Sequence, residues 1–226
     1  MGAVLDLFNV LIEPTAVFER VREKPKFLAP FLVLAVVLAI TVVLLMPYQR
    51  AAMAERMAQI VQQNPQAAAA IQKAQKFAFV GVVFAPIIFG IVLLLIGTVL
   101  WVLVSVFSGE GKFSILLSLA TYASVPGILL QIATMVVLMI KGVAAVTSPA
   151  DLQPALGLDL LAPGATGFVL ACLAGINPFS LWGAFLTATG VAVTHKTSQG
   201  TAWTVAVILL VFVVLLRAVF TGLGNR

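Results

Sequence analysis

The chain offers little with which to do covalent chemistry. It has one histidine, His195, and one cysteine, Cys172. A lone histidine leaves no His pair for a metal, and a lone cysteine leaves neither a thiolate cluster nor an internal disulfide. No Ser-His-Asp set can be placed together, and no carboxylates face each other across the long apolar runs. His195 precedes Lys196 in the tight turn THKTSQG. Lys196 reads as a cap at a membrane boundary. His195 would sense protons only with a partner, and the sequence names none. The stretch SGEGKFSI lacks the G-x-x-x-x-G-K-[ST] spacing of a phosphate loop. The expectation is a protein that is not an enzyme, with no catalytic residues, no cofactor and no metal.

What remains is uncharged polarity inside apolar runs. Thr121, Tyr122, Ser124, Gln131 and Thr134 fall in one run; Ser180, Thr187 and Thr189 fall in another. Their ordinary role is hydrogen bonding between helices or to their own backbone, each contributing about 0.6 kcal/mol in lipid. Pro126 interrupts the first run. Carbonyls freed beside such a break could bind a headgroup or a small solute. Tyr122, Ser124, Pro126, Gln131 and Asn177 therefore form the candidate polar cleft. Gly183, Thr187 and Gly190 share one helical face at i, i+4 and i+7, as Gly90 and Gly97 share another. These are packing faces that admit a neighbouring helix closely.

The elements that hold these residues are set by composition. The chain is 62% hydrophobic and 9% charged, with a mean hydropathy of +1.16. A soluble domain carries roughly a quarter charged residues, so the chain reads as a multi-spanning helical membrane protein. The net charge of +5 fits Lys and Arg flanking membrane spans. No basic stripe with interleaved aromatics points to nucleic acid. The opening MGAVLDLFNVLI has no basic region and contains Asp6, so it does not read as a signal peptide.

Residues 1–26 read as an N-terminal interfacial segment and 27–226 as a five-span membrane domain. Within the first, PTAVFERVREKPK forms a short amphipathic helix. Pro14 suits the first helical position, and Pro25 ends the helix. Val17, Phe18 and Val21 lie on one face; Arg20, Glu23 and Lys24 turn to water. Phe18, Arg20, Arg22 and Lys24 are its expected interfacial contacts.

The first span is 27–48, about 33 Å of helix against a hydrocarbon core of about 30 Å. The second is 77–107, at about 46 Å long enough to tilt, with a kink at Pro86. The third is 114–140. The uncharged run 160–194, about 35 residues, is too long for one straight span. Asn177 is a good N-cap and Pro178 suits the next position. A short fourth span therefore starts there, preferred over a single kinked helix. Residues 166–176 then make a separate apolar segment that re-enters the bilayer or lies on it. The fifth span is 200–221, with Arg217 snorkelling near its end. Asn64-Pro65 divides the loop 49–76 into two short helices, and Ser148-Pro149 with Asp151 starts another.

Positive charges divide evenly between the two sides. The cluster Arg20, Arg22, Lys24 and Lys26 just before the first span favours a cytoplasmic N-terminus. Five spans then leave the C-terminus outside, and the expected location is a bacterial inner membrane.

The order of these pieces resembles the bacterial Yip-domain proteins. The carriers are PTAVFERV followed by Pro25, GKFS running into TYASVP, NPFSLWGAFL at the fourth span, and THKTS before the fifth. Together they cover roughly residues 7–222. The resemblance implies five spans and a cytosolic N-terminus. The family is named for eukaryotic members that interact with Ypt/Rab GTPases in traffic between endoplasmic reticulum and Golgi. Those members carry a long cytosolic N-terminal region, whereas about 26 residues precede the first span here. The resemblance supplies no catalytic residues. The resulting expectation is a scaffold or adaptor for membrane organisation or trafficking-like processes. It would work through membrane lipids, a protein partner or a second copy. The alternative is a transporter or channel for a neutral or lipid-like solute.

Overall fold

A computed structural model describes residues 2–77, 80–108, 110–153 and 155–224. Among them the regular elements are all helices. Four helices are long and apolar enough to cross a membrane, or five if one bent pair counts as a span. The chain divides into two compact units. One gathers Met1–Leu34, Gly90–Gly127 and Ala155–Arg226; the other holds Ala35–Phe89 and Ile128–Pro154.

The chain opens with a helix the sequence reading did not foresee, α1 (Gly2–Asn9). It turns back over residues 10–13 into α2 (Pro14–Glu23), which has Pro14 in its first turn. α2 closes with the Lys24 amide donating to Arg20 O, just ahead of Pro25. α3 (Leu28–Gln63) contains the first span but does not stop at Tyr48. It continues for 36 residues with Pro47 inside it. Pro47 removes one backbone hydrogen bond. The following Ala, Met, Glu, Arg and Gln residues are strong helix formers and carry the helix on. The break expected at Asn64-Pro65 does occur: Asn64 Oδ1 accepts from the Gln66 amide at 3.1 Å, and α4 (Ala67–Lys76) follows. The first of the two predicted loop helices is thus the continuation of the first span.

α5 (Val80–Ser108) passes through Pro86 as one helix. The third span is α6 (Phe113–Ala123) and α7 (Val125–Lys141), parted at Ser124. Pro126 has no N–H to give the preceding turn, which is why the break falls here. After α7, Asp151 folds back over a single 3-10 turn, Pro149–Leu152. Its Oδ2 accepts from the amides of Thr147 and Ser148 at 3.0 and 2.9 Å.

α8 (Gly167–Gly175) and α9 (Pro178–His195) meet at 56°. The run 160–194 therefore does break at Asn177, as the Asn-Pro pair implies. Asn177 Oδ1 accepts from the Phe179 and Ser180 amides at 3.1 and 3.0 Å. In return the Asn177 amide donates to Ser180 Oγ at 2.9 Å. This reciprocal box satisfies donors that a helix start leaves open. α8 lies against α10 (Gln199–Gly224). The approach at Gly175 is close, since a Cβ there would sit 3.1 Å from Val214 Cγ1. α9 ends with Lys196 in the left-handed region.

In the first unit the core is Val10, Val17, Phe18, Leu100, Leu116, Leu119, Tyr122, Leu186, Val191 and Val205, each fully buried. α9 sits among α2, α6 and α10. The second unit has its own cluster: Leu45, Tyr48 and Ala52 of α3 with Leu138 of α7 and Val146.

Candidate functional site

The glycine faces read from the sequence are the contacts around which the first unit is built. A Cβ at Gly190 of α9 would meet Leu119 Cδ1 at 2.7 Å and Phe18 Cε1 at 3.1 Å. One at Gly183 would meet Ala123 O at 3.3 Å. Gly97 of α5 admits Leu117, whose Cα would be 3.4 Å away. Thr187 lies on the same α9 face, with its hydroxyl donating to Gly183 O at 2.8 Å.

These contacts correct the expected setting of α2. Its apolar face is there, but it turns inward: Val17 and Phe18 are 0% exposed and Val21 is 3% exposed. Phe18 is fully buried against Gly190, beside Leu119, so its ring is covered by protein. The close approach that Gly190 allows is the physical reason. A slot between α6 and α9 accepts the ring, and burial there removes its apolar surface from water. The polar edge is also tied down, because Arg22 Nη1 donates to Val193 O at 3.2 Å. Lys24 is exposed and contributes its backbone to the helix end.

The residues of the expected polar cleft are each engaged or packed. The Tyr122 hydroxyl donates to Ala3 O at 3.1 Å. The Ser124 hydroxyl donates to Thr121 O at 2.7 Å. Asn177 Nδ2 donates to Ala174 O at 3.0 Å while its Oδ1 caps α9. Pro126 is buried and Gln131 half-buried. Tyr122, Ser124, Pro126 and Asn177 fall in the first unit, and Gln131 falls in the second. Four further hydroxyls in the apolar helices bond back to their own turn, Thr98 to Leu94 O, Ser118 to Ser114 O, Thr121 to Leu117 O and Thr194 to Gly190 O, whereas Ser108 Oγ is buried without a partner among the described residues. Because its hydrogen goes to Gly190 O, the Thr194 hydroxyl accepts from His195 Nδ1 at 2.8 Å. His195 Nε2 is buried with no partner among the described residues.

One cluster escaped the sequence reading. Asp6 of α1 lies against Arg20 of α2, with Nη2 to Oδ1 at 2.6 Å and Nε to Oδ2 at 3.4 Å. Both carboxylate oxygens are engaged, in the forked geometry that suits a guanidinium. The Asp6 side chain is 12% exposed and that of Arg20 50%. The hydrogen bond to Asp6 raises the Arg20 pKa above its ordinary value, and partial desolvation opposes it. Tyr122 holds the other end of α1 through Ala3. The signal was in the sequence: Asp6 is a lone charge in an apolar stretch, and such a group needs a partner when buried. The partner was hidden because it comes from the next helix.

Apolar helices of spanning length, small-residue contacts and back-bonded hydroxyls define a polytopic α-helical membrane protein. A family model described as the Yip1 domain matches residues 8–220. The chain belongs to this family. It is similar to the membrane protein YknW of Bacillus subtilis (strain 168), at 28% identity over 225 residues, covering 97% of this chain and 90% of that one. No solved structure matches.

Proposed function

We propose that this chain is a non-enzymatic scaffold or adaptor of the membrane, which organises partners or lipids through its helix faces. The observation that supports this is how four polar side chains of the apolar helices and their breaks in the first unit are used. Tyr122, Ser124, Thr187 and Asn177 each bond within the fold. A solute path needs polar groups that can exchange partners. Groups engaged in this way favour a rigid support over a conduit. The outward faces of α5 and α10 present large apolar residues, among them Ile91, Val106, Val211 and Phe220. These faces suit lipid or another membrane helix. We place the protein in a bacterial cytoplasmic membrane with Arg20, Arg22, Lys24 and Lys26 on the cytoplasmic side, because that cluster immediately precedes the first span.

Two measurements on one preparation test the reading. Photo-crosslinkers at Ile91 and Val211 in native membranes should capture discrete protein partners or a second copy. Sealed proteoliposomes should be no more permeable to a panel of neutral solutes than protein-free vesicles. Uptake of one solute, reduced by Tyr122→Phe or Gln131→Ala, would overturn the scaffold reading and favour transport.

A further inference from the structure

α1 is inside out. Its charged and hydrogen-bonded side faces the protein, where Asp6 and Leu7 are buried and Asp6 meets Arg20. Its other side is uncovered and, apart from the exposed Asn9 at the helix end, apolar. Leu5 is 57% exposed, Phe8 68% and Ile12, just past the helix end, 81%. With Val4 they fall within one helical face at 100° per residue. A helix packed on a protein in water would do the reverse, burying Leu5 and Phe8 and exposing Asp6. An apolar medium outside this face favours the arrangement over water.

The height of α1 points the same way. Its Ala3 carbonyl accepts from Tyr122, and Tyr122 belongs to the spanning helix that starts at Phe113. Tyr122 is about 13 Å along that axis, at 1.5 Å per residue. Its side chain leans back by about one turn, which puts the hydroxyl roughly 8 Å below Phe113. Glu110 and Lys112 immediately precede Phe113 and mark the wet boundary. A depth of about 5–10 Å is where in-plane helices meet the acyl chains. Arg22, Lys24 and Lys26 follow on the same hairpin, where anionic headgroups complement them.

We propose that the uncovered α1 face, Val4, Leu5, Phe8 and Ile12, is a lipid-binding surface. It is seated in the acyl-chain boundary of one leaflet and held at that depth by the Asp6–Arg20 pair and the Tyr122–Ala3 hydrogen bond. The interfacial contact expected of α2 thus belongs to α1, while α2 serves as its mount. The occupant is phospholipid. The inference stands apart from the scaffold reading and requires only that the protein is inserted.

The test uses nitroxide labels on the full chain in phosphatidylethanolamine/phosphatidylglycerol vesicles. Cys172→Ser supplies the background, and labels go at Phe8→Cys and Leu5→Cys. Ile91→Cys is the hydrocarbon reference and Glu19→Cys the aqueous one. Both α1 sites are exposed, so the substitutions disturb no packing. The expected result is a ratio of oxygen to water-soluble nickel-chelate accessibility at Phe8 several-fold above that at Glu19 and approaching that at Ile91. Nickel access at Phe8 equal to that at Glu19 would overturn the proposal. So would shielding from both reagents, which would mean that a second copy covers the face.

Discussion

Gly190 is the position where the packing of the first unit can be tested by one methyl group. A Cβ built there lies 2.7 Å from Leu119 Cδ1, 2.8 Å from Leu119 Cγ and 3.1 Å from Phe18 Cε1. Real side chains do not approach so closely, so Gly190→Ala must move something. Leu119 and Phe18 are both 0% exposed, and neither can swing into open space. Overpacking a filled core costs about 1–3 kcal/mol. Against this, Ala is favoured over Gly in a helix by about 1 kcal/mol. The balance is a loss of up to about 2 kcal/mol. For a chain of this size that is a fall of up to about 4–8 °C in the unfolding midpoint. The control is Gly127→Ala in α7, where a Cβ meets nothing within 4 Å; it should gain or hold stability. The assay is thermal unfolding in detergent, with both variants purified in parallel. If Gly190→Ala matches Gly127→Ala, the tight seat of α2 between α6 and α9 is wrong.

Three further expectations follow from named contacts. Arg20→Ala leaves the buried Asp6 carboxylate without its counter-charge; the cost is about 1–2 kcal/mol, tempered because Arg20 is half exposed. It should appear as faster amide exchange across residues 2–12, with Asp6→Ala/Arg20→Ala recovering part of the loss. Asn177→Ala removes the acceptor for two α9 amides and should cost about 0.5–2 kcal/mol in thermal unfolding, with Asn177→Ser recovering most of it. Asp151 should give the loop after α7 an acid-sensitive lock. Hydrogen bonds from the Thr147 and Ser148 amides, then the Ser148 hydroxyl, hold its carboxylate below its ordinary value near 3.8. A depressed carboxylate stabilises the fold fully above that ordinary value and loses the effect as pH falls through the folded value. Protection of the Thr147 and Ser148 amides should therefore hold at neutral pH and be lost only once the pH has fallen below the ordinary carboxylate value of 3.8. Asp151→Ala should lack the protection throughout.

How much of this was legible in the sequence depends on the range of each interaction. Caps were readable because they are local. Asn177-Pro178, Asn64-Pro65 and Ser148-Pro149 each start or stop a helix with groups two or three residues apart, and each break is present. Glycine faces were readable as faces, since Gly183, Thr187 and Gly190 share a side at helical spacing. Which partner they admit was not readable, because Leu119 and Phe18 come from elsewhere in the chain. That gap misplaced Phe18: an amphipathic helix shows that it has an apolar face, not whether lipid or protein meets it. The end of the first span was overread for a different reason. Loss of apolarity after Tyr48 marks the end of hydrocarbon, whereas helix formers from Gln49 onward keep the backbone hydrogen-bonded.

The Asp6–Arg20 pair shows the same limit in its sharpest form, and it bears on how the N-terminus works. The five apolar runs hold no charged residue before Arg217, and the pair lies outside every run. Yet Tyr122, within one of those runs, reaches out to Ala3 and fixes the helix that carries Asp6. The lone carboxylate in an apolar stretch looks unfavourable in the linear sequence. In the fold it turns inward to a guanidinium, and that turn leaves Leu5, Phe8 and Ile12 facing outward. That one charge thus sets the orientation of a helix suited to lipid. Replacing Asp6 with Leu tests this coupling: it removes the reason for that orientation, so the Phe8 label should lose its oxygen-accessible depth. A Phe8 label that stays at the same depth would show that Tyr122 and packing alone orient α1.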